Sequence, residues 1–255
     1  MSGGLTRVPV PRLRVFAGPN GSGKSTIKDQ IPPNLIGIYV NADEIEKTVR
    51  SSGLLDLELF GITTSSHDLK AFFTGHALVA KAGLQTQSLR VGLNGHCIDF
   101  SAVDMNSYIA SVTADFIRHQ LLTTKISFTF ETVMSSRDKV EFIKHAQCSG
   151  YRTYLYFVAT ESPDININRV ANRVGEGGHD VPLDKIVQRY YRSLELLPSA
   201  IAVSNRAFIF DNSGDESVFM AEVTDGTVLQ FYREDVPDWF IGAYLDKVSD
   251  ADAIE

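Results

Sequence analysis

The stretch RVFAGPNGSGKSTI, Arg14–Ile27, governs how the rest of the chain is read. It begins inside a short apolar run, RLRVFAG over 12–18, whose β-branched and aromatic residues predict a buried strand ending at glycine. The eight residues from Gly18 to Ser25 then satisfy the spacing G-x-x-x-x-G-K-[ST]. Glycines at these places let the backbone curl around an anion with successive N–H groups pointing inward, and a helix opening at Gly23–Lys24 adds its positive end. Lys24 is expected to reach the β- and γ-phosphates of a nucleoside triphosphate, and the Ser25 hydroxyl to ligate Mg²⁺. Gly18, Asn20, Gly21, Ser22, Gly23, Lys24, Ser25 and Thr26 therefore make up the expected nucleotide-binding loop.

Outward from this loop the chain alternates between two periods. Apolar runs at 35–43, 125–133, 151–160 and 206–213 predict further strands, and helical patterns lie between them. Residues 44–124 read as mostly helical, with apolar residues at helical spacing over 68–85 and 102–122 and glycines at 83, 92 and 95 marking the connection. Pro163 suits the first turn of the helix that follows the 151–160 strand. Past about residue 215, two strand-like runs flank Asp225-Gly226, a hairpin turn signal, and a short helix follows. The expectation is an α/β fold of the P-loop NTPase or kinase kind: a five-stranded parallel sheet flanked by helices, with a C-terminal β-hairpin added. It is read as one domain over 1–255, with a helical insertion at about 44–124, a lid at about 163–192, and a hairpin and helix at about 215–248.

Composition narrows the function. The 255 residues carry a formal net charge of −7, which argues against a general nucleic-acid surface. Cys97 and Cys148 show no metal-type spacing and read as free thiols, and none of the six histidines shows ligand spacing. The N-terminal stretch lacks the apolar core of a signal peptide, and no apolar run approaches the roughly 20 residues that span a bilayer. A cytoplasmic protein without membrane contact is expected.

The wording GPNGSGKST is that of an ABC-type ATPase loop, yet neither an LSGGQ-like signature nor an N-K-x-D guanine motif follows. Two acids end apolar runs instead. Asp43 follows IGIYVNA, where it would serve as base toward a substrate hydroxyl or as the N-cap of the helix behind it. Glu131 ends KISFTFE; it would hold Mg²⁺ through water, fix a substrate hydroxyl, or be a helix cap or surface acid, with Thr132 and Ser135 beside it. Arg169 and Arg173 lie four apart, so they share a helix face, and Arg189 follows the glycine-rich loop GEGGHDVP. Together they would form a lid over the triphosphate or a solvated face. Arg192, Arg137 and His179 are weaker candidates.

These segments, in order, resemble the zeta-toxin family of P-loop kinases, in particular the group often labelled ABC-type ATPases. The matching residues are FAGPNGSGKST, NADEI, FTFET, GYRTYLYFVAT, NRVANRVGEGGHDVP, IVQRYYRSLELL and FIFDNSG, spread over roughly 15–215. The resemblance implies transfer of the γ-phosphate of ATP to a hydroxyl, on a UDP-linked amino sugar in characterised relatives and on NAD in some similar proteins. It implies Asp43 as base, Glu131 and Thr132 facing the substrate, Arg169, Arg173 and Arg189 in the lid, and Asp211 and Asn212 near adenine. It also implies an antitoxin protein as a partner. Asp43 is followed by EIEK, whereas the best-known zeta toxins carry D-x-F-R there. An ATPase or regulatory nucleotide-binding module without an acceptor, and a nucleoside or nucleic-acid-end kinase, remain the alternatives.

Overall fold

A computed structural model describes residues 9–178 and 180–252 of the chain. His179 lies outside the described residues. In chain order the strands are β1 (Arg12–Ala17), β2 (Ile38–Val40), β3 (Leu54–Asp56), β4 (Gly92–Asn94), β5 (Cys97–Asp99), β6 (Phe128–Thr132), β7 (Arg152–Ala159), β8 (Arg206–Asp211), β9 (Val218–Thr224) and β10 (Val228–Phe231). The chain divides into two compact units, one formed by residues up to Gly37 and from Thr132 onward, the other by Ile38–Glu131.

In the first unit the strands run in the order β10-β9-β8-β7-β1. β1, β7 and β8 are parallel, and β9 turns back antiparallel on β8. β1 and β7 read as near-continuous apolar runs because both are buried: Leu13, Val15, Phe16, Ala17, Leu155, Phe157, Val158 and Ala159 have no exposed surface. Rings stack across three strands, with Phe16 4.7 Å from Tyr156 and Tyr156 4.9 Å from Phe208. Ile27, from the helix Lys24–Gln30, packs on this ladder and seats that helix at the end of β1. Burying one such side chain contributes about 1.5–3 kcal/mol, so the start of the helix is fixed by packing as well as by its loop. The expected hairpin is present. Asp225 and Gly226 both take positive φ, 48° and 73°, the backbone that matches the twist of β9 and β10.

The helices Arg137–Cys148, Pro163–Gly175 and Leu183–Ala202 belong to this unit, with short helices at Pro33–Ile36, Asp238–Phe240 and Asp246–Asp252. The helix Leu183–Ala202 buries a stripe of Ile186, Tyr190, Ser193, Leu197, Ala200 and Ile201, the spacing of one helical face.

In the second unit β2 pairs parallel with β6, with Val40 opposite Phe130. The helices Ala42–Ser52, Ser66–Gly75 and Ser107–Thr124 pack around a core of Phe73, Phe100 and Phe116, none more than 1% exposed. Two sequence readings change here. The helix expected over 68–85 stops at Gly75 and resumes at Ala77, because His76 leaves the helical region and its side chain caps the next turn. The segment read as mostly helical also holds an antiparallel sheet, in the order β3-β5-β4.

Candidate active site

The phosphate loop hangs from the carboxyl end of β1, and three other segments enclose it. Gly18, Gly21 and Gly23 take φ of 139°, 74° and 92°, a region that side chains rarely adopt. Each also meets a neighbour too closely for a Cβ. An added Cβ would come within 2.0 Å of the Val158 carbonyl oxygen at Gly18, 2.6 Å of the Asn166 carbonyl oxygen at Gly21, and 2.1 Å of Asn212 Nδ2 at Gly23. The glycines therefore serve the curl of the loop and its fit against β7, the helix Pro163–Gly175 and the segment after β8.

Lys24 is only 7% exposed, and its Nζ donates to the carbonyls of Gly18 at 3.0 Å and Pro19 at 2.9 Å. This bends the ammonium back over the loop it follows. Ser22 is fully buried, and its Oγ has no hydrogen-bond partner among the described residues. A buried hydroxyl without a partner costs free energy, and a phosphate seated against the loop is a group that would take its hydrogen bond. Ser25 and Thr26 stand exposed on the first turn of the helix. The donor set suits a nucleotide's phosphates, and the Ser25 hydroxyl is the group that would hold Mg²⁺.

Two asparagines fasten the loop from outside. Asn166, with no exposed surface, donates from Nδ2 to the Asn20 carbonyl at 2.6 Å and accepts from Thr160 Oγ1 at the end of β7. Asn212 donates from Nδ2 to the Ser22 carbonyl at 2.8 Å, while its own N–H bonds Ala159 at 2.8 Å. The sequence reading singled out Asn212 and missed Asn166. The available signal was a polar residue on the same helical face as the buried Val170, four residues on.

The arginines divide. Arg189 Nη1 donates to Asn20 Oδ1 at 3.4 Å, so it reaches the tip of the loop from the helix Leu183–Ala202. Arg169 instead donates to two carbonyls of the segment after β8, Asn212 at 2.7 Å and Gly214 at 2.9 Å. There it lines a cavity of about 580 Å³ together with Gly23, Thr26, Gln30 and Asn212. Arg173 is half-buried; the turn at Gly177-Gly178 wraps it, with the Gly178 N–H bonding the Arg173 carbonyl at 2.9 Å. Arg137 and Arg192 are exposed. Asp211 accepts from Trp239 Nε1 and from Ser213 Oγ, at 2.8 Å and 2.7 Å, so its carboxylate ties the short helix Asp238–Phe240 to this segment.

In the other unit, Asn41 caps the helix Ala42–Ser52: its Oδ1 accepts from the N–H groups of Asp43 at 2.8 Å and Glu44 at 3.3 Å. The capping role weighed for Asp43 therefore belongs to Asn41, and Asp43 presents an exposed carboxylate on the first turn. Asn41 Nδ2 in turn donates to the Tyr39 hydroxyl at 3.0 Å, and that hydroxyl donates to Glu131 Oε2 at 2.8 Å. Burial and the neighbouring Glu131 charge push the Tyr39 phenol far up, so it stays a donor and orients the carboxylate. Asp43 and Glu131 thus stand at the carboxyl ends of the parallel pair β2 and β6, where open α/β sheets place ligands. Thr132 Oγ1 accepts from the Met134 N–H at 3.1 Å, so it also shapes the turn after β6.

Comparison with known proteins adds a family match. Residues 102–224, just under half of the chain and all beyond the phosphate loop, match the zeta toxin family. An uncharacterized protein of Haemophilus influenzae is 28% identical over 72 residues, which are 28% of this chain and 51% of that protein. A chain of the AvrRxo1-ORF1:-ORF2 complex with ATP is 17% identical at a TM-score of 0.52, over 87% of this chain and 60% of its own length. That is a likeness of fold. The chain thus spans about half of the curated relative and three fifths of the solved one. A chain from the PezAT chromosomal toxin-antitoxin system of Streptococcus pneumoniae is also 17% identical, over 96% of this chain and 85% of its own, with a TM-score of 0.47. The resemblance read from the sequence is borne out: residues 102–224 match the zeta toxin family, and the fold is a mixed α/β one with a mostly parallel sheet flanked by helices.

Proposed function

We propose that this chain is an ATP- and Mg²⁺-dependent kinase that transfers the γ-phosphate to a hydroxyl of a nucleotide-linked metabolite. A UDP-N-acetyl amino sugar or an NAD-like molecule is the acceptor class that the family resemblance implies, and an antitoxin protein is the implied partner. The observation that carries the reading is the enclosed glycine cradle, with Lys24 folded over it and the orphaned Ser22 hydroxyl inside.

In this reading the backbone N–H groups of Gly23, Lys24 and Ser25 and the Lys24 ammonium bind the triphosphate, and Arg189, at the tip of the loop, offsets charge on it during transfer. Mg²⁺ held by Ser25 would draw negative charge from the phosphates. Arg169 holds the segment carrying Asn212 and Gly214 beside the nucleotide, and Arg173 stiffens the lid turn. Asp43, relieved of capping, takes the proton of the acceptor hydroxyl as its oxygen bonds to the γ-phosphorus and ADP leaves. Glu131, oriented by Tyr39, accepts a hydrogen bond from the acceptor, and Thr132 adds another. Among the described residues no helix is long and apolar enough to cross a membrane, and the site's substrates are those of the cytoplasm.

The test is incubation with ATP-Mg²⁺ and a panel of hydroxyl acceptors, including a UDP-N-acetyl amino sugar and NAD, followed by mass spectrometry. A mass raised by one phosphate is expected with the parent, none with Lys24→Ala, and none with Asp43→Ala although that variant still binds ATP. Transfer by Asp43→Ala at the parent rate removes the assigned base. ATP hydrolysis that no acceptor accelerates removes the kinase reading in favour of an ATPase.

A further inference from the structure

The small sheet of the 38–131 unit carries a group of donors that the kinase reading leaves unused. Asp56 ends β3 and stands directly opposite Cys97, the first residue of β5, in an antiparallel register. Residues so paired project to the same side of a sheet. The turn between β4 and β5, where Gly95 takes a φ of 61°, brings His96 next to them. One donor atom from each of Asp56, His96 and Cys97 lies within 4.8 Å of the other two. It is the one such group among the described residues.

The surroundings orient these donors. His96 Nε2 is 3.7 Å from Asp56 Oδ1, while Nδ1, on the other edge of the ring, is 3.5 Å from Glu58 Oε1. The Asp56 carboxylate itself accepts the Glu58 N–H at 2.8 Å, and the Leu57 N–H bonds the His96 carbonyl at 3.1 Å. An imidazole with one nitrogen toward a carboxylate and the other toward further donors has the arrangement of a metal-binding histidine, whose second nitrogen almost always donates to an oxygen.

We propose that Asp56, His96 and Cys97 bind one zinc ion, with Glu58 orienting the imidazole. A thiolate, an imidazole and a carboxylate suit Zn²⁺ and not Mg²⁺ or Ca²⁺, which take oxygen ligands. Zinc bonds of about 2.0–2.3 Å in a tetrahedron put ligand atoms roughly 3.3–3.8 Å apart. The donors here must therefore close by about 1 Å, a movement within reach of the exposed His96 ring. Binding releases the Cys97 proton to solvent, and water completes the four ligands. The ion would cross-link β3 to the β4–β5 turn in a sheet whose three strands have three residues each. Strands so short gain little stability alone.

The test uses the full chain and no nucleotide, so its outcome is independent of the kinase reading. Co²⁺ added to the metal-free protein is expected to give the visible absorption of a tetrahedral site and a near-ultraviolet sulfur-to-cobalt band, both displaced by one equivalent of Zn²⁺. Cys97→Ser is expected to abolish the sulfur band, while Cys148→Ser, at the other free cysteine, which is exposed, keeps it. In chelator competition Glu58→Gln is expected to weaken zinc roughly 10-fold and His96→Ala by more. Far-ultraviolet circular dichroism checks that each variant is folded. Absence of the sulfur band in the folded parent, or its survival in Cys97→Ser, overturns the proposal.

Discussion

Replacing Asn166 by alanine isolates one fastening of the phosphate loop. Its amide has two jobs, donating to the Asn20 carbonyl at 2.6 Å and accepting from Thr160 Oγ1. The two partners do not lose equally. The Thr160 hydroxyl already lies 3.1 Å from the Ser162 carbonyl and can turn its proton there. Among the described residues the partly buried Asn20 carbonyl has no such substitute, and leaving a group unpaired costs about 1–3 kcal/mol where water is kept out. We expect Asn166→Ala to lower stability by about 2 kcal/mol. For a chain of this size that is a drop in Tm of about 4–8 °C. Asn166→Asp should be worse, because an acceptor then faces the Asn20 carbonyl. The assay is thermal unfolding with and without ATP-Mg²⁺; both variants should also lose part of the nucleotide-induced rise in Tm. If Asn166→Ala shifts Tm by less than about 1 °C, or Asn166→Asp melts with the parent, the clamp is not holding the loop.

Two further outcomes test neighbouring parts. Asn41→Ala should cost about 1 kcal/mol by removing the cap of the helix Ala42–Ser52, whereas Asp43→Ala should leave urea denaturation almost unchanged; equal losses would return the capping role to Asp43. Glu222 is held below the usual carboxylate range by its two-pronged bond to Arg206, at 2.6 Å and 2.7 Å. A carboxyl depressed on folding stabilises above its unfolded pKa of about 4.3, and that contribution fades as pH falls through the folded value. The Tm gap between the parent and Glu222→Gln should therefore be widest near neutrality and close in acid; a gap that stays constant with pH refutes it.

The loop was legible in the sequence because its geometry admits few residue types: positive φ and close backbone approach select Gly18, Gly21 and Gly23. The buried strands β1 and β7 were legible through their continuous apolar runs. β3, β4 and β5 were not, since LLD, GLN and CID are too short to display a two-residue period. The cap at Asn41 was readable from N-A-D-E, an asparagine followed three residues later by glutamate, but the strand-end acid drew the eye instead. Arg169 shows the limit of helical spacing. Four residues from Arg173 it shares a face, yet which carbonyls it meets depends on a segment 43 residues further along the chain.

The bond from Trp239 to Asp211 bears on where this protein can be cut. The family match ends at residue 224, and a fragment trimmed to that boundary would keep every residue assigned to the nucleotide. It would lose Trp239 and Phe240, both buried, and with them the anchor of the segment that carries Asn212 and receives Arg169. The smallest piece that keeps the proposed nucleotide site anchored therefore extends past residue 224, to at least Phe240, and a library of truncations would register that edge as a step in nucleotide affinity rather than a slope.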